Sequence, residues 1–128
     1  MRRGDVRDLM IALEHVPDRE RVTAWMRERN IPLRRDRIQQ GEQGSYLVQE
    51  WHDAGHPGLD VHYGTEEQGT PWGEAFGHIQ VPWLGIVSGI WEEAIGMAIQ
   101  FAKDFEGRVI SLQEEQQLYP TEEEKHDL

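Results

Sequence analysis

Residues 88–112 read SGIWEEAIGMAIQFAKDFEGRVISL, and the spacing of their apolar side chains decides the fold class. Trp91, Ala94, Ile95, Ala98, Phe101, Ala102 and Phe105 recur at helical intervals, which predicts an amphipathic helix from Ser88 or Gly89 to just before Gly107. Ser88 reads as its cap. Glu92 and Glu93 complement the positive end of the helix dipole, Lys103 the negative end, and Gly107 offers the left-handed conformation that often stops a helix. The alanines let a sheet approach the helix axis closely. RVISLQ, directly after, carries β-branched residues and fits a strand; WLGIV, directly before, fits another. A strand, a helix and a strand joined this tightly predict a right-handed crossover between two parallel strands of one sheet.

Working outward, PDRERVTAWMRERNIP (17–32) predicts a shorter helix, with Asp18 at its N-cap, Val22, Trp25, Met26 and Arg29 along one stripe, and Pro32 beyond its end. DLMIALEHV (8–16) reads two ways. A helix would align Val6, Leu9, Met10 and Leu13, whereas a strand would align Leu9, Ile11 and Leu13. Leu, Met and Ala lean to helix by propensity, but Pro17 and the helix after it favour a strand-to-helix unit, and strand is the reading adopted. SYLVQEW (45–51) and LDVHYG (59–64) alternate around the turn formers HDAGHPG, which predicts a β-hairpin. The sum is an α+β domain over residues 1–119, with a mixed sheet of about five strands and two main helices packed on one face. Leu118 and Tyr119 still dock, and residues 120–128 beyond them read as an acidic, flexible tail.

At 128 residues, 38% of them hydrophobic and five of them tryptophan, the chain is sized for one core. A mean hydropathy of -0.71 places strongly polar character in its loops and ends. With no cysteine, disulfides, thiolate metal sites and thiol nucleophiles are excluded. The apolar runs LMIAL and VPWLGIVSGIW are too short for a signal-peptide core and a bilayer crossing, so a soluble cytoplasmic protein is expected. The net charge of -11 is unevenly spread: residues 1–38 hold ten arginines against seven acids, residues 39–128 three basic residues against seventeen acids. Such a surface repels nucleic acid and anionic membrane and attracts a basic partner.

EWHDAGHPGLDVHYG (50–64) packs three histidines and three acids into fifteen positions. If residue 52 opposes 60, then Leu47, Trp51, Val61 and Tyr63 share a core-facing side of the hairpin. The other side receives two pairs, Glu50 with His62 and His52 with Asp60. These serve as solvated cross-strand contacts or, alternatively, as a small-enzyme or ligand site built on a carboxylate-oriented histidine, with Glu50, His52, His56, Asp60 and His62 as its members. A metal would take His52, His56 and His62 as nitrogen ligands and Asp53 or Asp60 as an oxygen ligand. Against it, the H-x3-H spacing falls in a loop with Gly55 and Pro57 rather than on a helix face. His78 reads as a surface or capping residue; His15 and His126 carry no site signal.

No nucleophile elbow surrounds Ser45, Ser88 or Ser111, and lysines only at 103 and 125 leave no Walker-type loop. GTPWGEAFG (69–77) reads as loop. The longer stretch GTEEQGTPWGEAFG places Glu66, Glu67 and Glu74 around Trp72, which serves either as a binding anchor or as a lid folded over the core. Trp83 poses the same choice, while Trp25, Trp51 and Trp91 read as core.

Small size, absence of cysteine, a mixed α/β layout, a concentrated acidic surface and the helix-strand unit of residues 88–112 together resemble small bacterial toxin-immunity proteins. The resemblance implies an inhibitor that occludes a basic toxin or enzyme surface. Asp53, Asp60, Glu66, Glu67, Trp72 and Glu74 are the expected contacts with that basic protein. No catalytic residue, cofactor or metal belongs to this reading, and the chain is expected to be a monomer or homodimer.

Overall fold

The alternation of LMIAL is realised as an inner strand with both sides covered. In the computed structural model, which describes residues 6–41, 44–53, 57–65, 69–82 and 89–121, the first strand is β1 (Val6–Leu13). Leu9, Ile11 and Leu13 enter the main core, and Met10 and Ala12 join a second, smaller apolar cluster with Phe76 on the opposite side. A strand buried on both faces reads as a near-continuous apolar run, which is why it resembled a helix.

Helix α1 (Arg19–Glu28) follows, with the Asp18 carboxylate accepting from the Glu20 N–H at its N-cap. Strands β2 (Leu33–Gly41), β3 (Gly44–Trp51), β4 (Leu59–Tyr63) and β5 (Ala75–Pro82) come next. The long helix α2 (Ile90–Phe105) leads to β6 (Gly107–Ser111) and β7 (Gln116–Tyr119). The sheet order is β2-β3-β4-β5-β1-β6-β7, and every neighbouring pair is antiparallel.

Among the described residues the sheet therefore has seven strands rather than about five, and is antiparallel rather than mixed. The two added strands are its edges. β2 is too charged to alternate cleanly, and β7 is four residues long in a stretch dominated by Gln and Glu. The strands flanking α2 do run in the same direction, but β1 lies between them, so the predicted adjacent parallel pair is a split crossover. The strand before α2 is β5; WLGIV lies outside the described residues. Residues 75–77, read as loop, belong to β5. Gly77 marks close strand packing there, since a Cβ would sit 3.2 Å from the Ile11 and Leu59 side chains.

Both described helices pack on the same face of the sheet, as expected. Trp25 of α1 meets Phe101 of α2 edge-to-face at 5.1 Å, and its indole N–H donates to Asp104 at 2.7 Å. Phe101 is fully buried and stacks on Phe105 at 4.4 Å. The end of α2 departs from expectation: Glu106, at φ 57°, takes the left-handed position. Gly107 serves β6 instead, because a Cβ there would lie 2.9 Å from the Ala12 carbonyl oxygen. The N-cap position is Gly89, and Ser88 lies outside the described residues. No helix among the described residues is long and apolar enough to cross a membrane.

Candidate functional site

Strand pairing alone sets out what lies on the face that the described helices leave open. Directly opposed residues share a face. One row across all seven strands therefore runs Arg35, Glu50, Asp60, His78, Met10, Ile110 and Gln117. The next row holds Arg37, Val48, His62, Phe76, Ala12 and Arg108. Among the described residues no helix covers its centre, which is buried because aromatic and long polar side chains cover one another. His62 stacks on Phe76 at 4.0 Å and tilts towards Tyr46 at 5.8 Å.

Charged groups ring this centre in three sets. The Nε atoms of Arg35 and Arg37 both donate to Oε2 of Glu50 at 2.8 Å. Burial alone would raise the Glu50 pKa, but the hydrogen bonds and charges of the two guanidinium groups prevail and hold it below the ordinary carboxylate value. His52 Nε2 lies 2.8 Å from Asp60 Oδ1, and His78 Nε2 lies 2.9 Å from Asp8 Oδ1. An ionised carboxylate can only accept, so in both pairs Nε2–H is the donor and the carboxylate orients the ring. Gln113 fixes Asp8 reciprocally, donating to Oδ2 and accepting from the Asp8 backbone N–H, each at 2.7 Å.

His62 differs from the other two. Its Nδ1 is buried and has no hydrogen-bond partner among the described residues. Burial first, then the charges of His78 and Arg37, push its pKa from 6.5 down to about 4, so the ring is neutral at physiological pH. On the core side, burial raises the Tyr63 hydroxyl well above its ordinary value, and that hydroxyl donates to Gln49 Oε1 at 2.7 Å.

The hairpin register differs from the expected one by two residues. Glu50 opposes Asp60, Trp51 opposes Leu59 and Val48 opposes His62. A two-residue shift leaves every side chain on its expected face, so alternation cannot separate the two registers. Burial of Leu59 against Trp51, which are 0% and 2% exposed, favours the observed one. The Glu50–His62 pair is replaced by Glu50 with its two arginines, while His52 and Asp60 do meet. Asp53 sits 3.9 Å from Arg34, and His56 lies outside the described residues.

The acidic contact set is divided. Glu66 and Glu67 lie outside the described residues. Trp72 is 52% exposed and so does not fold over the core as a lid. It occupies a tight turn in which Thr70 and Gly73 exchange backbone hydrogen bonds and the Thr70 hydroxyl donates to the Gly73 carbonyl at 2.9 Å. Glu74 is exposed beside it. His78 opposes Asp60, so Glu74, just before the start of β5, lies about 13 Å from Asp60 along the strand direction, and Trp72 sits in the turn beyond it. Trp83 lies outside the described residues, Trp25 and Trp51 are buried, and Trp91 is half-buried with Arg7 over its ring.

Asp8, Arg35, Arg37 and Gln113 carry no sequence signal, and His78, expected as a surface or capping residue, is instead a partly buried ring paired with Asp8. One usable signal was the alternation of FGHIQV, which puts Phe76, His78 and Gln80 on one face. Nothing local, however, pairs β5 with β1. A cavity of about 500 Å³ opens elsewhere, lined by Arg19, Thr23 and Arg27 of α1 and by Gln49. A scan against protein-family models finds no match, and searches of curated proteins and of solved structures also match nothing.

Proposed function

We propose that the chain is a protein-binding inhibitor that engages a basic partner, a toxin or enzyme whose surface it occludes, through the turn carrying Trp72. The observation that carries this reading is the indole itself: half exposed, and held outward on a turn closed by the Thr70–Gly73 bridge. Leaving so large an apolar ring in water has a cost that burial under a partner removes, and a braced turn loses little freedom on binding. Tryptophan is enriched among residues that dominate interface energies.

The charge distribution supplies the rest. Seventeen acids beyond residue 38 steer a cationic partner, and Glu74 stands next to the anchor. The inhibitor reading agrees with the resemblance to toxin-immunity proteins drawn from the layout.

Immobilised chain, exposed to extract of its native cells, is expected to retain a basic protein at low salt and release it at moderate salt. Trp72→Ala is expected to lose at least about 30-fold in affinity for that protein, the loss typical of an anchoring tryptophan. Glu74→Gln is expected to slow association with little change in dissociation. Equal retention by wild type and Trp72→Ala would overturn the assignment of this turn.

A further inference from the structure

The sheet places two carboxylates directly opposite one another, Glu50 on β3 and Asp60 on β4, on the face opposite the described helices. Like charges at directly opposed positions destabilise a sheet. Here Arg35 and Arg37 offset the charge of Glu50, while among the described residues Asp60 is met only by His52, a third group able to ligate. Oxygens of Glu50 and Asp60 and a ring nitrogen of His52 all lie within 4.8 Å of one another. We propose that Glu50, His52 and Asp60 form a binding site for a divalent first-row cation, with Zn²⁺ the best match to one imidazole and two carboxylates.

Three features of the surroundings fit such a site. Position 58 is glycine, and a Cβ there would lie 2.8 Å from Cγ and Cδ2 of His52, so the backbone is cleared for the imidazole to lie against it. The two arginines both bind Oε2 of Glu50, which orients the carboxylate and leaves Oε1 to ligate; ligating carboxylates are commonly held by such outer hydrogen bonds. The proton that His52 Nε2 donates to Asp60 Oδ1 marks where the cation enters: the metal takes its place, and the proton moves to Nδ1 or to solvent.

The geometry also sets limits. Bonds of about 2.0–2.2 Å to a shared ion bring ligand atoms to within roughly 3–3.5 Å of each other, so the separations here, all within 4.8 Å, need contract by no more than about 1–2 Å. His52, with its side chain 46% exposed, has room for that movement. Three protein ligands leave the remaining positions to water, and two guanidinium groups nearby oppose the ion's charge. The site is accordingly a moderate one, open to solvent and exchangeable.

The test is titration of the full chain, stripped with chelator, with Zn²⁺ by calorimetry and by thermal unfolding. Wild type is expected to bind one ion at this site and to unfold several degrees higher with excess Zn²⁺. His52→Gln and Asp60→Asn are each expected to weaken binding at least tenfold and to abolish the thermal shift, with circular dichroism reporting that they fold. His15→Gln removes the imidazole of the separate exposed group Glu14, His15 and Glu106 and is expected to change neither readout. Binding that survives both His52→Gln and Asp60→Asn, binding lost with His15→Gln, or no binding by wild type would each overturn the proposal.

Discussion

Replacing His62 by Phe removes one titratable ring from the centre of the open face while keeping an aromatic plane against Phe76. The native pKa of about 4, set below the ordinary 6.5 by burial first and then by His78 and Arg37, means that the unfolded chain binds a proton at this residue more readily than the folded one. A group depressed in this way contributes stability above pH 6.5 and loses it as the pH falls towards 4. Between pH 7.5 and 5 the linkage relation gives a loss of about 2 kcal/mol for wild type from this residue alone. His62→Phe has no such loss. It also deletes a buried Nδ1 without a hydrogen-bond partner among the described residues, so at pH 7.5 it is expected to be at least as stable as wild type. The assay is urea unfolding followed by circular dichroism at both pH values, with chelator present to exclude metal. His62→Gln, which is polar but does not titrate, guards against a packing artefact in the Phe variant. Wild type should lose about 2 kcal/mol more than either variant on acidification. Parallel losses in all three proteins would refute the assignment of a neutral, desolvated imidazole.

Two further outcomes test the core and its helix end. Phe101→Ala empties a fully buried site where α1 and α2 meet, and is expected to cost about 3–5 kcal/mol in urea unfolding at neutral pH. Glu106→Gly relieves a non-glycine residue at φ 57° and keeps the backbone bond from this C-cap to the Ala102 carbonyl; a gain of about 0.5–1 kcal/mol is expected.

Local pattern was enough to read the two described helices and the interior strands β1, β3, β4 and β6, but not β5, whose first residues read as loop. The stripe of Val22, Trp25 and Met26, the Asp18 cap and the α2 periodicity all appear as sequence signals and are all realised. The edges were not legible. In β2 the arginines and Asp36 guard an open strand edge against further pairing, a role that removes the apolar alternation by which strands are recognised. Even Ile38, the one large aliphatic in its centre, is 63% exposed. Strand adjacency was not legible either, because β5, α2 and β6 carry no mark that β1 will slot between them. The candidate cation site shows the same division. The hairpin brought His52 and Asp60 together from local sequence, whereas Arg35, Arg37 and the Asp8–His78 pair needed long-range pairing.

The positions of the two proposed surfaces determine how far they can influence each other. Glu50, His52 and Asp60 lie where β3 and β4 meet the 52–58 loop, whereas Trp72 and Glu74 precede β5 at the other end of these strands. Asp60 and Glu74 are about 13 Å apart along the strand direction, beyond the 7–10 Å within which substitutions usually couple. The strand between them is rigid, being hydrogen-bonded on both sides and anchored below by Ile79 in the main core. Substitutions at the two ends should therefore act independently. His52→Gln is expected to abolish Zn²⁺ binding while leaving capture of the basic partner unchanged, and Trp72→Ala the reverse. A double variant should show the sum of the two single effects to within about 0.5 kcal/mol in partner affinity measured with and without Zn²⁺. A larger deviation would mean that one partner spans the whole open face, covering the carboxylates and the indole together, and the division into two surfaces would be wrong.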